Sequence, residues 1–148
     1  MKIQPITSDK RDFMPLLLLA DEERFIDEYL DRGDVFALYD DGPKAVCVVT
    51  DEGGGVFELQ NLAVDEQYHR QGYGRALVKY IFGRYARHGK TMLVGTGESP
   101  ITIPFYEACG FVYSHRIKDY IVERYGHPCY ENGVELRDKI YLTKQLGE

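Results

Sequence analysis

No apolar run in this sequence is long enough to cross a bilayer as a helix. The longest purely aliphatic stretch is Leu16 to Leu19, against the ~20 residues a span requires. The N-terminus lacks the basic-then-apolar pattern of a secretory signal, so a cytoplasmic protein with no membrane partner is expected. Cysteine is scarce and odd in number, with only Cys47, Cys109 and Cys129. Their spacing does not suit a metal site, so reduced, packed thiols and no metal are expected. Positive charge is not in excess either: the formal net charge is -6, which argues against a nucleic-acid partner. No repeat, long linker or low-complexity tract divides the chain, and residues 1–148 read as a single domain.

One absence is local. From Gln67 through Gly97 there is no Asp or Glu, while six basic residues occur: Arg70, Arg75, Lys79, Arg84, Arg87 and Lys90. The remaining chain holds all twenty-four acidic residues against twelve basic ones. That segment is therefore suited to an anion, and its surroundings are not.

The hydrophobic patterning alternates between sheet and helix. Strands are expected over 2–6, 35–39, 45–50, 56–64, 91–94, 111–113 and 139–142. A helix capped by Ser8 and Asp9 should run toward Leu19, with Pro15 as an interruption. A second helix, capped by Asp21, carries the stripe Phe25, Ile26, Tyr29 and Leu30. Leu77, Val78, Ile81, Phe82 and Tyr85 follow helical spacing. A short helix surrounds Phe105 to Cys109, with Pro104 in its first turn, where a missing N–H matters least. In the strand ending at Val64 the alternation slips: Phe57 and Leu59 share a face, but the next large apolar residues are Leu62 and Val64. One extra residue at Gln60–Asn61 would restore the face, which is the signature of a β-bulge, although an edge strand with tolerated polar residues gives the same pattern. A bulge would splay this strand from its neighbour and free backbone groups for a ligand.

After that strand comes "HRQGYGRALV", residues 69–78. Strand, glycine loop and helix in this order point backbone N–H groups at one spot, where they can bind phosphate oxygens, although paired glycines alone also suit a solvated turn. Gly72 and Gly74 permit unusual dihedrals and a close ligand approach. Arg75 and Lys79 lie on one helix face and are expected to add charge there. No Gly-Lys-Ser/Thr follows, and Leu77 replaces the third glycine of a dinucleotide fingerprint, so neither familiar nucleotide loop is present.

The bulged "LQNLAV", then "HRQGYGRALV", then a strand and "FYEACGF" together resemble the GNAT superfamily of N-acetyltransferases, over roughly Val35 to Val112. The resemblance implies an α/β fold: a central, mostly antiparallel twisted sheet with a bulged, splayed strand and flanking helices. It also implies acetyl-CoA as co-substrate. Its pyrophosphate would meet the N–H groups of Gln71, Gly72, Tyr73, Gly74 and Arg75, and its pantetheine arm would pair with backbone at Leu62, Ala63 and Val64. His69 departs from the Gln or Arg usual at the first loop position. Where many relatives have an Asn to contact the arm, "GTGESP" has Glu98 and Ser99.

Acetyl transfer needs a neutral amine, an oxyanion donor and an acid for the departing thiolate. By the resemblance, Tyr106 is the acid; packing between Phe105 and Phe111 is its structural alternative. A thiol titrates near 8.5 and tyrosine near 10, so the unaided proton transfer is uphill by roughly 2 kcal/mol. Glu58 matches the position of the general base in the histone-acetylating branch; a solvated strand residue or a water relay are the alternatives. The N–H near Leu62 would polarise the thioester carbonyl. Tyr120, Tyr125 and Tyr130 with Asp119, Glu123 and Glu131 form either an acidic aromatic rim for a cationic amine, an ordinary solvated surface, or an interface in a homodimer. The expected partner is a small-molecule or peptide amine. A non-catalytic acyl-CoA sensor is the competing reading, which Tyr106 disfavours.

Overall fold

The computed structural model, which describes residues 1–147, contains nine strands and five α-helices; seven of the strands and four of the helices lie where the patterning anticipates, and two short strands and a helix between residues 120 and 135 are additional. β1 (Lys2–Ile6), β2 (Asp34–Tyr39), β3 (Pro43–Gly53), β4 (Val56–Val64), β5 (Thr91–Gly97), β6 (Val112–Ile117) and β9 (Lys139–Gln145) form one sheet in the order β1-β2-β3-β4-β5-β9-β6. β7 (Tyr130–Glu131) and β8 (Val134–Glu135) make a separate small hairpin. All neighbours in the large sheet are antiparallel except β4 and β5. The fold is thus a mixed α/β sheet, mostly antiparallel, with helices on both faces. Strands β5, β6 and β9 run longer than the sequence periodicity indicates, because pairing between them carries the ladder through polar and glycine positions.

Two cores lie on opposite faces of the sheet. On one, Leu77, Val78 and Ile81 of α3 (Tyr73–Tyr85) pack on Phe36, Leu38, Cys47, Leu59, Met92 and Val94. Each such side chain contributes about 1.5–3 kcal/mol on burial. α4 (Thr102–Ala108) joins the same face through Tyr106. On the other face, Leu17 of α1 (Met14–Leu17) and Ile26, Tyr29 and Leu30, in and just after α2 (Glu23–Tyr29), cover Val35, Val46, Val48 and Ala63. α5 (Tyr120–Tyr125) reaches α2 through the edge contact of Tyr125 with Phe25, centroids 4.6 Å apart.

The N-terminal helix differs from the expectation. Residues Lys10–Phe13 form a 3-10 helix, and an α-helix starts afresh with Pro15 in its first turn. A proline deeper in a continuous helix would leave a carbonyl unpaired and clash with the preceding turn, so the segment splits there. Asp9 takes a left-handed φ of 53° and makes no side-chain cap. Asp21 does not cap α2 either; Glu22 holds the N-cap position, and Asp21 is used in the cleft described below.

Candidate active site

The bulge lies where the alternation slips. Val48 of β3 faces Asn61 and Val49 faces Leu59, which leaves Gln60 as the extra residue. Leu62 and Val64 thereby return to the core face of Phe57 and Leu59, while Asn61 turns to the other side. The parallel ladder with β5 ends at the same point: Val56 to Leu59 pair with Thr91 to Val94, and no register continues beyond them. β4 nonetheless continues to Val64 and β5 to Gly97. The strands therefore part, and the edge of β4 along Leu62, Ala63 and Val64 faces a gap with its outward backbone groups unpaired by β5.

At the end of this edge stands the glycine loop. Gly72 is the N-cap of α3 with φ 84°, a left-handed value that costs most side chains free energy, and no side chain caps the helix. The first N–H groups of α3, at Tyr73, Gly74 and Arg75, consequently point outward as an anion site. Gly74 is closely packed: a Cβ there would lie 3.3 Å from Phe105 and 3.4 Å from Val64. His69 donates from Nε2 to the Val64 carbonyl at 3.0 Å and so ties the loop to the strand end. One expectation needs correction. The Arg75 guanidinium donates to the Ala108 carbonyl at 3.1 Å, so its charge is drawn to the end of α4. The Tyr73 side chain leaves the loop and donates to Asp40 at 2.6 Å; what these residues present to the loop is their backbone.

A cleft of about 1050 Å³ passes through the gap and carries both Glu58 and Tyr106 on its walls. Glu58, 8% exposed, sits just before the bulge and opposite Leu93. Its carboxyl makes no hydrogen bond among the described residues. Burial pushes its pKa up, partly offset by Lys139. Tyr106 stands on the other side of the sheet, its ring edge-on to Phe105 and Phe111 with centroids 5.2 and 5.6 Å away. Burial raises the phenol as well. The ring is therefore packed as the structural alternative expects, and the residue also lines the cleft. Glu98 and Ser99 do not line it. Glu98 pairs with Arg116 at 2.6 Å, and the Ser99 hydroxyl accepts the N–H groups of Ile101 and Thr102 while donating to Glu131.

The far wall comes from α2 and α5. Asp21 accepts hydrogen bonds from Tyr29 at 3.1 Å and Tyr125 at 2.7 Å, and Asn61 donates to the Tyr29 oxygen at 3.0 Å. Arg124 pairs with Glu28, and Arg24 and Arg124 each lie 4.5 Å from the Phe25 ring centre. His127 bonds Glu22 at 2.6 Å and lies beside Cys129, so that donor atoms of a carboxylate, an imidazole and a thiol fall within 4.8 Å of one another. Sequence spacing gave no sign of that grouping, because Glu22 is more than a hundred residues from its partners.

The acidic aromatic rim is only partly assembled. Tyr120, Tyr125 and Glu131 line the cleft, whereas Asp119, Glu123 and Tyr130 do not. Asp119 is held by Arg137 at 3.3 Å, and Glu131 receives the Ser99 hydroxyl. The sequence reading missed Lys139, the first residue of β9, whose half-buried ammonium lies 4.6 Å from the Tyr120 ring centre and 4.9 Å from that of Tyr141. Only its position in the β5–β9 register brings it to the cleft.

Comparison with known proteins agrees with this geometry. Residues 31–113 match the acetyltransferase (GNAT) domain family. The chain is 33% identical over 135 residues to the Bacillus subtilis (strain 168) protein called uncharacterized N-acetyltransferase YvbK, covering 88% of this chain and 87% of that one. A Bacillus subtilis acetyltransferase crystallised in complex with CoA superposes with a TM-score of 0.91 at 30% identity, over 98% of both chains. A GNAT family acetyltransferase from Elizabethkingia anophelis with acetyl-CoA bound gives 0.92 at 31% identity, over 98% of this chain and 97% of that one. The splayed strand, the uncapped helix and these likenesses lead to one conclusion: the chain belongs to the GNAT superfamily and is an N-acetyltransferase.

Proposed function

We propose that this protein, acting as one catalytic domain over residues 1–148, moves an acetyl group from acetyl-CoA to a primary amine by direct attack on the thioester. The observation that carries the reading is the cleft through the sheet, with Glu58 on one side of the gap and Tyr106 on the other. The residues fit acetyl-CoA as a substrate. The uncapped N-terminus of α3 offers N–H groups to a pyrophosphate. The free edge of β4 at Leu62 to Val64 offers peptide groups to a pantetheine arm, which would lie along it as a short extra strand.

An alkylamine titrates near 10.4 by analogy with lysine and arrives mostly protonated at neutral pH. Glu58 takes a proton from it, directly or through water, and its upward-shifted pKa makes it a stronger base than a solvated carboxylate. The amine nitrogen forms the new bond to the acetyl carbon, and the N–H near Leu62 holds the developing oxyanion. As the carbon–sulfur bond breaks, Tyr106 gives its proton to the sulfur, and the second proton that the acylated nitrogen must lose passes through water to restore the phenol. Burial weakens this phenol as an acid. A thiolate leaving into the same dry space is also made more basic, so the two shifts partly cancel.

Release of free coenzyme A thiol on mixing the protein with acetyl-CoA and a panel of primary amines tests the reading. Amine-dependent release supports it. Tight acetyl-CoA binding with no release for any amine would leave a binding module instead. Among the described residues no helix is long and apolar enough to cross a membrane, and the reading uses a small-molecule or peptide amine as partner, in the cytoplasm.

A further inference from the structure

The charges on the cleft wall are nearly all used up within the protein. Asp21 is held by two tyrosines, Glu22 by His127 and Arg24, and Glu28 by Arg124. Glu131 takes the Ser99 hydroxyl, and Arg32 pairs with Glu52. Glu66 is exposed at the far end, beyond the β4 edge. In the central part of the cleft two opposite charges remain without an ion-pair partner among the described residues: Glu58 and Lys139, whose ammonium has only the neutral Tyr141 phenol beside it as a hydrogen-bond partner. They sense each other through space without ion-pair contact.

Lys139 is held in place by its surroundings. It pairs with Gly97 in the β5–β9 ladder, and its side chain runs back across β5 at Gly95. A Cβ at Gly95 would lie 2.4 Å from Lys139 Cε and 2.9 Å from the Tyr141 ring, so only glycine leaves the lysine its path. The rings of Tyr120 and Tyr141 flank the ammonium. Burial lowers its pKa, but Tyr141, Tyr120 and Glu58 more than compensate, and it stays charged. A half-buried cation costs desolvation free energy, which a counter-anion recovers. Here two aromatic faces supply part of that and no carboxylate supplies the rest.

We propose that the acceptor is a primary amine that itself carries a carboxylate, an amino acid in chemical class, whose carboxylate is received by Lys139 while its amine faces Glu58. The proposal rests on the reading of Glu58 as the base that meets the amine. It gives the two unpaired charges complementary halves of one zwitterion. It also accounts for a cleft whose other acids are already neutralised and so offer little to a polycation.

The test compares glycine, leucine and phenylalanine with their amides and with the amines that lack the carboxylate, in wild type, Lys139→Met and Lys139→Arg. Acetyl-CoA binding and thermal unfolding establish that each variant is folded. Because these amines differ in basicity, the readout for each acceptor is the ratio of variant to wild type. Lys139→Met should raise KM for the amino acids at least tenfold and change amides and plain amines less than threefold, with Lys139→Arg recovering most of the loss. A role for Lys139 in tuning Glu58 alone would lower all three classes equally, and that result overturns the proposal. So does a wild type that acetylates amides or plain amines but no amino acid. If no amine releases thiol although acetyl-CoA binds, the primary-amine reading itself fails, and this inference with it.

Discussion

The wall of the cleft along β4 and α4, with the start of α3 at the end of the β4 edge, presents mainly backbone: the strand edge from Leu62 to Val64 and, beyond it, the helix start at Gly72 to Arg75. Its parts are near one another in sequence, between Val56 and Ala108. The wall built from α2, α5 and β9 presents side chains instead, and its contacts join residues such as Asp21 with Tyr125 and Glu28 with Arg124. The difference matches what each wall would bind. A pyrophosphate and a pantetheine arm are the same in every acetyl-CoA, and repeated peptide groups suffice to hold them. An acceptor differs from enzyme to enzyme and needs particular side chains. Substitutions should therefore separate into those that disturb the donor and those that disturb the acceptor.

The largest effect is expected at the junction of the walls. Tyr106→Phe keeps the ring packed between Phe105 and Phe111, so folding and acetyl-CoA affinity should stay within a few-fold. Losing the acid should lower single-turnover acetyl transfer by about 10²–10⁴-fold. A wild-type single-turnover rate would assign the thiolate's proton to another group.

Glu58→Gln comes next and has two signatures. Transfer at neutral pH should fall by about tenfold or more and recover in part as pH rises, because more of the amine is then already neutral. The second signature is stability. Burial raises the folded-state pKa of Glu58 above its ordinary value of 4.5. Between those two values the folded protein binds more protons than the unfolded chain, so the carboxyl's contribution is present below the ordinary value and lost as pH rises through the raised one. At neutral pH Glu58→Gln should therefore melt at a higher temperature than wild type, and the gain should vanish in acid. Equal melting at all pH values would mean that the carboxyl is well solvated.

Gly72→Val should act on the donor wall alone. No neighbour lies within 4 Å of a Cβ there, so the penalty comes from φ +84°. A β-branched residue pays about 1–2 kcal/mol or more in that region or leaves it. Acetyl-CoA affinity should fall about tenfold, with little change in acceptor KM. Titration calorimetry showing unchanged affinity in the folded variant would take the loop out of the site.

The smallest effect is expected on the opposite wall. Tyr125→Phe removes one hydrogen bond to Asp21 and leaves the ring against Phe25. Such a bond contributes about 1 kcal/mol, so acceptor KM should rise a few-fold while acetyl-CoA binding is unaltered. A matching loss of acetyl-CoA affinity would show that the two walls are coupled.

The same contrast explains what could be read in advance. Alternation in Val56–Val64 carries the bulge because a two-residue period cannot absorb an extra residue without showing it. The glycine loop and its helix are legible because unusual dihedrals and apolar spacing are written in consecutive residues. Pro15 was visible, but not its effect, since a proline either ends one helix or begins another. The acidic residues after Lys118 were visible too, without the arginine and serine that occupy two of them.

By itself, then, the sequence carried the bulge in β4 and the glycine-started helix, because local backbone physics acts over a few residues, and its resemblance to the GNAT superfamily singled out Tyr106 and Glu58. Only the tertiary structure decided which charges were spent on one another. It directed Arg75 to Ala108, placed Asp21 between Tyr29 and Tyr125, and left Lys139 facing Glu58 across the cleft. Those outcomes depend on strand register and on pairs of side chains far apart in the chain. A one-residue shift between β5 and β9 would turn Lys139 to the other face of the sheet.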